Sequence, residues 1–529
     1  MSQISLNNVS FHYDTPFQDV FRELSIAISD EWKTALIGRN GRGKTTLFKL
    51  LMGGATPSSG LIHVPFEVRY FPYLPAGSNE ITQRVIKEAV APFSFWEEKM
   101  AFLLEKADEE SLKEYSAYFD LFVNFDGYTI DSIIEKEAAG IGLDADLLQR
   151  PFNTLSGGEK TRALILPLFI RRDTFPLLDE PTDHLDLNGR EHLAAYLAES
   201  KKGFIVASHD RYLLDRCTDH IVSINKTDVK VIQGNYSTWR YQTGIEEEFE
   251  KRRYENIQRE IQSLEKAAQQ RRKWSNKKEK EKTGAADSGF VSHKAAKMMK
   301  RATAIEKRIE SNIESRKDLL KNRETEQSLK MKGSAKMPER LISVNNLSVA
   351  IEGREIISGI YLNVFKGDRI AITGDNGTGK TTLLNAIEGT VPLKGGDIFT
   401  APKIKISRAY QNPLWQNGYL KEHLYQAGLE VTNFRFIMSA FKMTGEIFDH
   451  PLETFSQGQL RKIDLCRTIV SSPQLLIWDE PLNYLDIASR EQLEDFLLAE
   501  EPTIIFVEHD RFFIESTATE IIRLEKTKV

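Results

Sequence analysis

The 529-residue chain carries the same glycine-rich loop twice, each copy placed between a short apolar run and a helical one. The first is Gly38-Arg-Asn-Gly-Arg-Gly-Lys44-Thr45, after Ala35-Leu36-Ile37; the second is Gly374-Asp-Asn-Gly-Thr-Gly-Lys380-Thr381, after Ile370-Ala371-Ile372. Strand, glycine loop, helix is the context in which backbone N–H groups close around phosphates at a helix N-terminus. Gly38, Asn40, Gly41 and Gly43 form that cradle in the first copy, and Gly374, Asn376, Gly377 and Gly379 in the second. Lys44 and Lys380 offer a cation to the β/γ oxygens, Thr45 and Thr381 a hydroxyl to Mg²⁺, and Thr46 and Thr382 continue each helix start. The expected ligands are ATP and Mg²⁺, bound twice.

Downstream of each loop the chain repeats itself at a fixed offset of 300 residues. Leu155-Ser156-Gly157-Gly158-Glu159, Leu177-Leu178-Asp179-Glu180 and Ser208-His209-Asp210 match Phe455-Ser456-Gln457-Gly458-Gln459, Ile477-Trp478-Asp479-Glu480 and Glu508-His509-Asp510. That register marks an internal duplication. Phosphoryl transfer to water needs neutralised phosphates, a metal and an oriented nucleophile. An acidic pair ending an apolar strand suits those roles: Asp179 and Asp479 toward the metal, Glu180 and Glu480 toward the attacking water. His209 and His509 are expected to touch the γ-phosphate.

These motifs, in this order, resemble those of ABC-type ATPases. The resemblance implies an α/β fold with two tandem ATPase domains packed head to tail, so that the serine-glycine motif of one closes over ATP held by the other. One composite site then joins Lys44 to Ser456 and Gly458, and the other joins Lys380 to Ser156, Gly157 and Gly158. Three departures are visible. Gln457 replaces the usual glycine of the second motif. Gln411 fits the family's metal-site glutamine in the second half, whereas Phe71-Pro72-Tyr73 stands at the corresponding place in the first. Tyr13 can stack on an adenine, but the aligned Val349-Ala350-Ile351 offers no ring.

Length fits two domains of about 200 residues with a connector, each large enough for a core. The expected division is 1–240 for the first ATPase domain, 241–338 for the connector and 339–529 for the second domain. No stretch approaches about 18 consecutive apolar residues and the N-terminus has no signal-peptide pattern, so no membrane partner is expected. Cys217 and Cys466, the two cysteines, read as free thiols of a cytoplasmic protein. Charge is uneven: residues 251–338 hold 25 Lys/Arg against 12 Asp/Glu, net +13 in a chain of net −5, so the remainder is −18. Basicity confined to one segment points to a polyanion partner. Ile257, Ile261, Leu264 and Ala268 step by 4, 3 and 4, as do Met298, Ala302, Ile305 and Ile309. That spacing predicts two helices of about thirty residues in an antiparallel coiled coil, with a tip at about 282–294 presenting Lys282, Phe290, His293 and Lys294 to RNA.

The loop-to-signature distance is 112 residues in the first half and 76 in the second, so the first carries 36 extra residues. Residues 96–146 count 14 acidic and 4 basic side chains, which predicts an enlarged helical subdomain within about 76–150. Duplicated ATPase domains joined by a basic two-helix linker look like the ABC-F translation factors. Ile37-Gly-Arg-Asn-Gly-Arg-Gly-Lys44, Trp274-Ser275, Met299-Lys-Arg301 and Ile477-Trp-Asp-Glu-Pro-Leu-Asn-Tyr-Leu-Asp486 are similar to the Lsa-type antibiotic-resistance branch. The resemblance implies a monomer off the ribosome that engages the exit site with ATP. Its linker tip would act near the P-site tRNA and large-subunit rRNA to displace lincosamides, pleuromutilins and streptogramin A. A housekeeping factor relieving stalled ribosomes is the alternative within the family; an exporter's ATPase subunit and a DNA-repair clamp are the alternatives outside it.

Overall fold

A computed structural model of the chain describes residues 2–14, 17–106, 108–225, 228–280, 307, 329–331, 338–443 and 445–525. The chain divides into two compact units, Met1–Ser237 with Gln327–Val529, and Thr238–Glu326. The first unit contains both ATPase halves, each built from two layers of strands with helices around them.

In the first half, β1 (Gln3–Asp14), β2 (Phe17–Ser29) and β4 (Ser59–His63) form an antiparallel sheet. A six-stranded sheet runs β5-β6-β7-β3-β8-β9, from β3 (Lys33–Gly38), β5 (Glu67–Phe71), β6 (Thr174–Asp179), β7 (Phe204–Ala207), β8 (His220–Ile224) and β9 (Val229–Gln233). All its pairings are parallel except β8 with β9. The apolar runs explain the difference between the layers. Ala35-Leu36 and Phe204-Ile205-Val206-Ala207 are wholly buried, as parallel strands covered on both faces must be. β1 alternates, with Ile4, Leu6, Val9 and Phe11 turned into a shared core with Leu36, Leu47 and Phe48.

The second half repeats the plan. β10 (Arg340–Ile351), β11 (Arg354–Phe365) and β13 (Gly395–Thr400) form the antiparallel sheet. β12 (Arg369–Thr373), β14 (Ile406–Ala409), β15 (Leu475–Asp479), β16 (Ile504–Val507) and β17 (Glu520–Arg523) form a parallel sheet in the order β14-β15-β16-β12-β17. In both halves the strand carrying the glycine loop is an interior one, paired on both sides. The carboxyl ends of its neighbours therefore open beside it, where ligands bind in open parallel sheets.

The extra length of the first half is a helical hairpin. Phe93–Lys106 packs on Glu109–Asn124 through edge-on contacts of Phe93 with Phe122 and of Phe95 with Tyr118, and Asp108 caps the second helix by accepting from the Ser111 N–H at 2.8 Å.

In the second unit the helix begun at Tyr236 continues to Lys280. Its 45 residues exceed the thirty expected, because it starts before the basic segment, at the end of the first half. The tip residues Lys282, Phe290, His293 and Lys294, with the second apolar seam from Met298 to Ile309, lie outside the described residues. Among the described residues no helix is long and apolar enough to cross a membrane.

Candidate active sites

Each glycine loop turns into its helix through a left-handed glycine that no larger residue could replace. Gly43 has φ 98°, and a Cβ there would lie 2.5 Å from Val20 Cγ1. Gly379 has φ 92°, with Ile357 Cγ2 at 2.6 Å. The helices Lys44–Leu51 and Lys380–Glu388 follow, so the first free N–H groups face the space above the sheet. Lys44 Nζ donates to Gly38 O at 2.8 Å, and Lys380 Nζ to Gly374 O at 2.8 Å and Asp375 O at 2.9 Å, which curls each lysine back over its loop.

The hydroxyl and carboxylate assigned to the metal meet in both halves. Thr45 Oγ1 donates to Asp179 Oδ2 at 3.0 Å, and Thr381 Oγ1 to Asp479 Oδ1 at 3.4 Å. The next residue of each strand end is the glutamate, held at φ 48° in Glu180 and 51° in Glu480. A left-handed non-glycine residue costs on the order of 1–3 kcal/mol, a strain typical of functional positions.

Their surroundings differ. Glu180 Oε2 accepts from the His209 backbone N–H at 3.1 Å, and its Oε1 lies 3.3 Å from His209 Nε2. That imidazole is also 3.3 Å from Lys44 Nζ and 3.1 Å from Asn40 Oδ1. Glu480 Oε2 instead accepts from Gln411 Nε2 at 3.1 Å and Asn483 Nδ2 at 2.7 Å, with His509 Nε2 3.9 Å from its other oxygen. Burial drives both histidines toward the neutral form. His209, beside Lys44, falls well below its ordinary value, and His509, facing Lys380 and Arg190, is pushed down to about 3.

Burial also pushes the Glu180 carboxyl up to about 8, outweighing the pull of Lys44, although about a quarter of the side chain remains exposed. Between its ordinary 4.5 and about 8 the folded state holds the proton more tightly than the unfolded one. Its stabilising contribution is therefore present at low pH and lost as pH rises through that window. Glu180→Gln, neutral throughout, is expected to flatten this dependence and raise the melting temperature most at pH 8 and above; thermal scans from pH 5 to 9 without nucleotide check it.

The two halves complete one another's sites. Asn40 donates its backbone N–H to Asp486 Oδ2 at 3.2 Å and its amide to Tyr484 O at 3.0 Å. In return Asn376 donates to Asp186 Oδ2 at 3.1 Å and to His184 O at 3.0 Å. Outside these loops, Arg211 is buried against Glu494 and Asp510, while Arg511 reaches Glu191 at 3.2 Å on the exposed side. A cavity of about 690 Å³ is lined by Lys380, Thr381, Thr382, Gln411, Glu480 and His509 of the second half, with Ser156 and Gly157 of the first. The head-to-tail pairing of Lys380 with the first serine-glycine motif is thus present as a shared, partly open cavity.

Each signature serine caps its helix. Ser156 Oγ accepts from Glu159 N and Ser456 Oγ from Gln459 N, both at 3.3 Å, with the glutamate or glutamine side chain reaching back. The glycine that both halves share is the constrained one: a Cβ at Gly458 would lie 2.6 Å from Tyr484 O and one at Gly158 3.0 Å from His184 O. Gln457 is exposed on the first turn, where a side chain has room.

Strand register places the glutamine difference directly. Phe71 pairs with Leu178 and Ala409 with Trp478, so Tyr73 holds the position of Gln411, and its hydroxyl donates to Leu164 O at 3.0 Å instead of reaching the site. Tyr13 lies edge-on to Phe11 at 5.0 Å and its hydroxyl is 3.0 Å from Thr46 Oγ1, while Ile351 and Ile356 line the cavity over Lys380.

Several site residues were not legible in advance. Tyr70 donates to Asp179 Oδ2 at 3.0 Å, and Arg408 stands in its place 3.3 Å from Asp479 Oδ2. Asp186, Asp486, Asn483 and Glu508 also belong to the sites. The repeat of Leu185-Asp186 as Leu485-Asp486 points to the two aspartates, and the exchange of Ser208 for Glu508 within the repeat to the glutamate.

A sequence model described as ABC transporter matches residues 21–183 and 357–483. The chain is 28% identical, over 97% of its length and 85% of the relative's, to the ribosome protection protein VmlR of Bacillus subtilis (strain 168). It is 26% identical, over 99% of its length and 75% of the relative's, to ABC transporter F family member 5 of Arabidopsis thaliana. Among solved structures it resembles the archaeal ribosome recycling factor aABCE1, in its complex with the stalk protein aP1, with TM-score 0.57 and 18% identity over 98% of this chain and 87% of that one. The solved RNase-L Inhibitor gives TM-score 0.55 and 17% identity at the same coverage. With two ATP sites assembled across a duplicated fold, the chain belongs to the ABC transporter family and is an ATP hydrolase.

Proposed function

We propose that this protein is a cytoplasmic ABC-F ATPase that binds the ribosomal exit site with ATP and displaces lincosamide, pleuromutilin or streptogramin A drugs through the linker between its ATPase halves. The observation that carries the reading is the reciprocal pair of cross-half bonds, Asn40 to Asp486 and Asn376 to Asp186, which couples closure of both ATP sites within one chain. Such a closed dimer can set the angle of a linker joined to both halves. The similarity to a ribosome protection protein and to a ribosome recycling factor supports the choice of ribosome as partner. The net +13 of residues 251–338 suits contact with large-subunit rRNA and P-site tRNA.

The two hydroxyl-carboxylate pairs fit Mg²⁺, which takes hard oxygen donors with phosphate completing the shell. Thr45 with Asp179 would hold it in the first site, and Thr381, Asp479 and Gln411 in the second. The ion supplies charge neutralisation at the phosphates. Glu180 and Glu480 orient water, Lys44 and Lys380 hold the β/γ oxygens, and the capped N-termini at Ser156 and Ser456 close over the γ-phosphate from the opposite half.

Ribosome co-sedimentation of the Glu180→Gln/Glu480→Gln protein at near-physiological salt tests the proposal. Retention with ATP and release without it is the expected result. Equal sedimentation in both conditions means charge attraction alone, and no binding in either overturns the ribosome reading. Growth of cells expressing the wild-type chain, with and without each drug, then separates drug displacement from relief of stalled ribosomes.

A further inference from the structure

We infer that Glu508 is a positioning residue of the second ATPase site: by taking up the backbone N–H groups of His509 and Leu482, it frees Glu480 from the bond that ties Glu180 in the first site. In the first half Thr182 Oγ1 lies 3.2 Å from Ser208 Oγ, and Ser208 Oγ accepts from Asp210 N at 3.1 Å. The His209 N–H is thereby left to Glu180 Oε2. At the equivalent places of the second half both hydroxyls are gone, replaced by Leu482 and Glu508.

Glu508 is 3% exposed. Its Oε1 accepts from Leu482 N at 2.7 Å and its Oε2 from His509 N at 2.9 Å, so one carboxylate bridges the loop after Glu480 to the histidine. Arg490 and Arg461 offset its charge, and Asp510 adds to it. Glu480 is then held by two neutral amides, Gln411 and Asn483, on the wall of the cavity that also contains Lys380 and Ser156. A carboxylate restrained by amides keeps its capacity to accept a proton from water. One engaged with the histidine N–H and imidazole has part of that capacity occupied. The two sites therefore turn over unequally, with the second the faster.

The inference rests on the reading of Glu480 as the residue that orients water, and the experiment separates the two. In a Glu180→Gln background, the paired change Leu482→Thr/Glu508→Ser installs the residues around which the first half already folds. The expected result is a fall in kcat of about tenfold with KM for ATP within about twofold, the pattern of lost transition-state positioning. The near-isosteric Glu508→Gln, whose amide cannot accept at both ends, is expected to act in the same direction. Unchanged kcat in either variant, or a rise in KM alone, overturns the proposal. Glu480→Gln in the same background is the control. If turnover survives it, the assignment of Glu480 fails. If turnover is lost there but survives the Leu482/Glu508 exchange, the role of Glu508 fails alone.

Discussion

Glutamine at both Glu180 and Glu480 is expected to lower ATP turnover by about 10³-fold while leaving ATP affinity within about twofold. A positioned general base contributes on the order of 10²–10⁴ in rate, and an amide of the same shape keeps the hydrogen-bonding frame without accepting the proton. The frame itself is rigid. Glu180 and Glu480 follow Asp179 and Asp479 at the strand ends with positive φ, and their backbone N–H groups bond to Ala207 O at 2.8 Å and Val507 O at 3.0 Å. Neither bond depends on the side chain, so the substitution leaves the loop lysines and the opposing signature serines in place. The single variants are expected to be unequal, with Glu480→Gln the more damaging, because Glu480 has Gln411 beside it and the first site has Tyr73 turned away. Phosphate release under saturating ATP gives the rate, and equilibrium binding of a fluorescent ATP analogue gives the affinity. Turnover of more than a tenth of wild type in the double variant would move the base to another group.

What could be read in the sequence, and what could not, follows from how locally each feature is encoded. The loop at Gly38–Thr45, the pair Asp179-Glu180 and the motif around Ser156 are short, contiguous and repeated, because the backbone must present several groups to one phosphate chain. The structure brings Ser156 and Gly157 together with Lys380, Gln411 and His509 around one cavity, and sets Glu180 beside His209. The central strands were legible as apolar runs for the same local reason. Tyr70 and Arg408 were not, since their approach to Asp179 and Asp479 depends on the pairing register of β5 with β6 and β14 with β15. The cross-half role of Asp186 and Asp486 is a property of assembled surfaces, which motif spacing does not encode. Glu508 was visible only as a departure from Ser208, and its two backbone bonds follow from burial behind a loop distant in sequence. In the linker, apolar steps suggested the helix but not its start at Tyr236, with two residues between it and the end of β9.

Arg461→Thr, the residue at the matching position of the first half, is expected to destabilise β15 and the loop after it by about 3–5 kcal/mol, the scale for removing one member of a buried charged network. Arg461 is 1% exposed, and its guanidinium donates to the backbone oxygens of Tyr410, Asp479, Glu480 and Pro481. Those four carbonyls cannot all turn to water, because β15 is wholly buried and Tyr410 is pinned by its hydroxyl to Glu388 at 3.0 Å. An unpaired buried carbonyl costs about 1–3 kcal/mol, so even partial relaxation leaves a large deficit. Arg461 also spans the two segments that converge on the second site. One ends in Asp479-Glu480 and the other carries Gln411, so losing the guanidinium lets the glutamine and the glutamate drift apart. Thr161, at the matching position of the first half, has no guanidinium with which to make that link. Arg461→Lys is expected to recover less than half of the stability, since one ammonium cannot reach four oxygens fixed by a planar fork. Hydrogen exchange of amides from Leu475 to Leu482 measures the opening free energy in each variant. A loss below about 1 kcal/mol for Arg461→Thr would mean that the carbonyls find other donors and that β15 holds the site without the arginine.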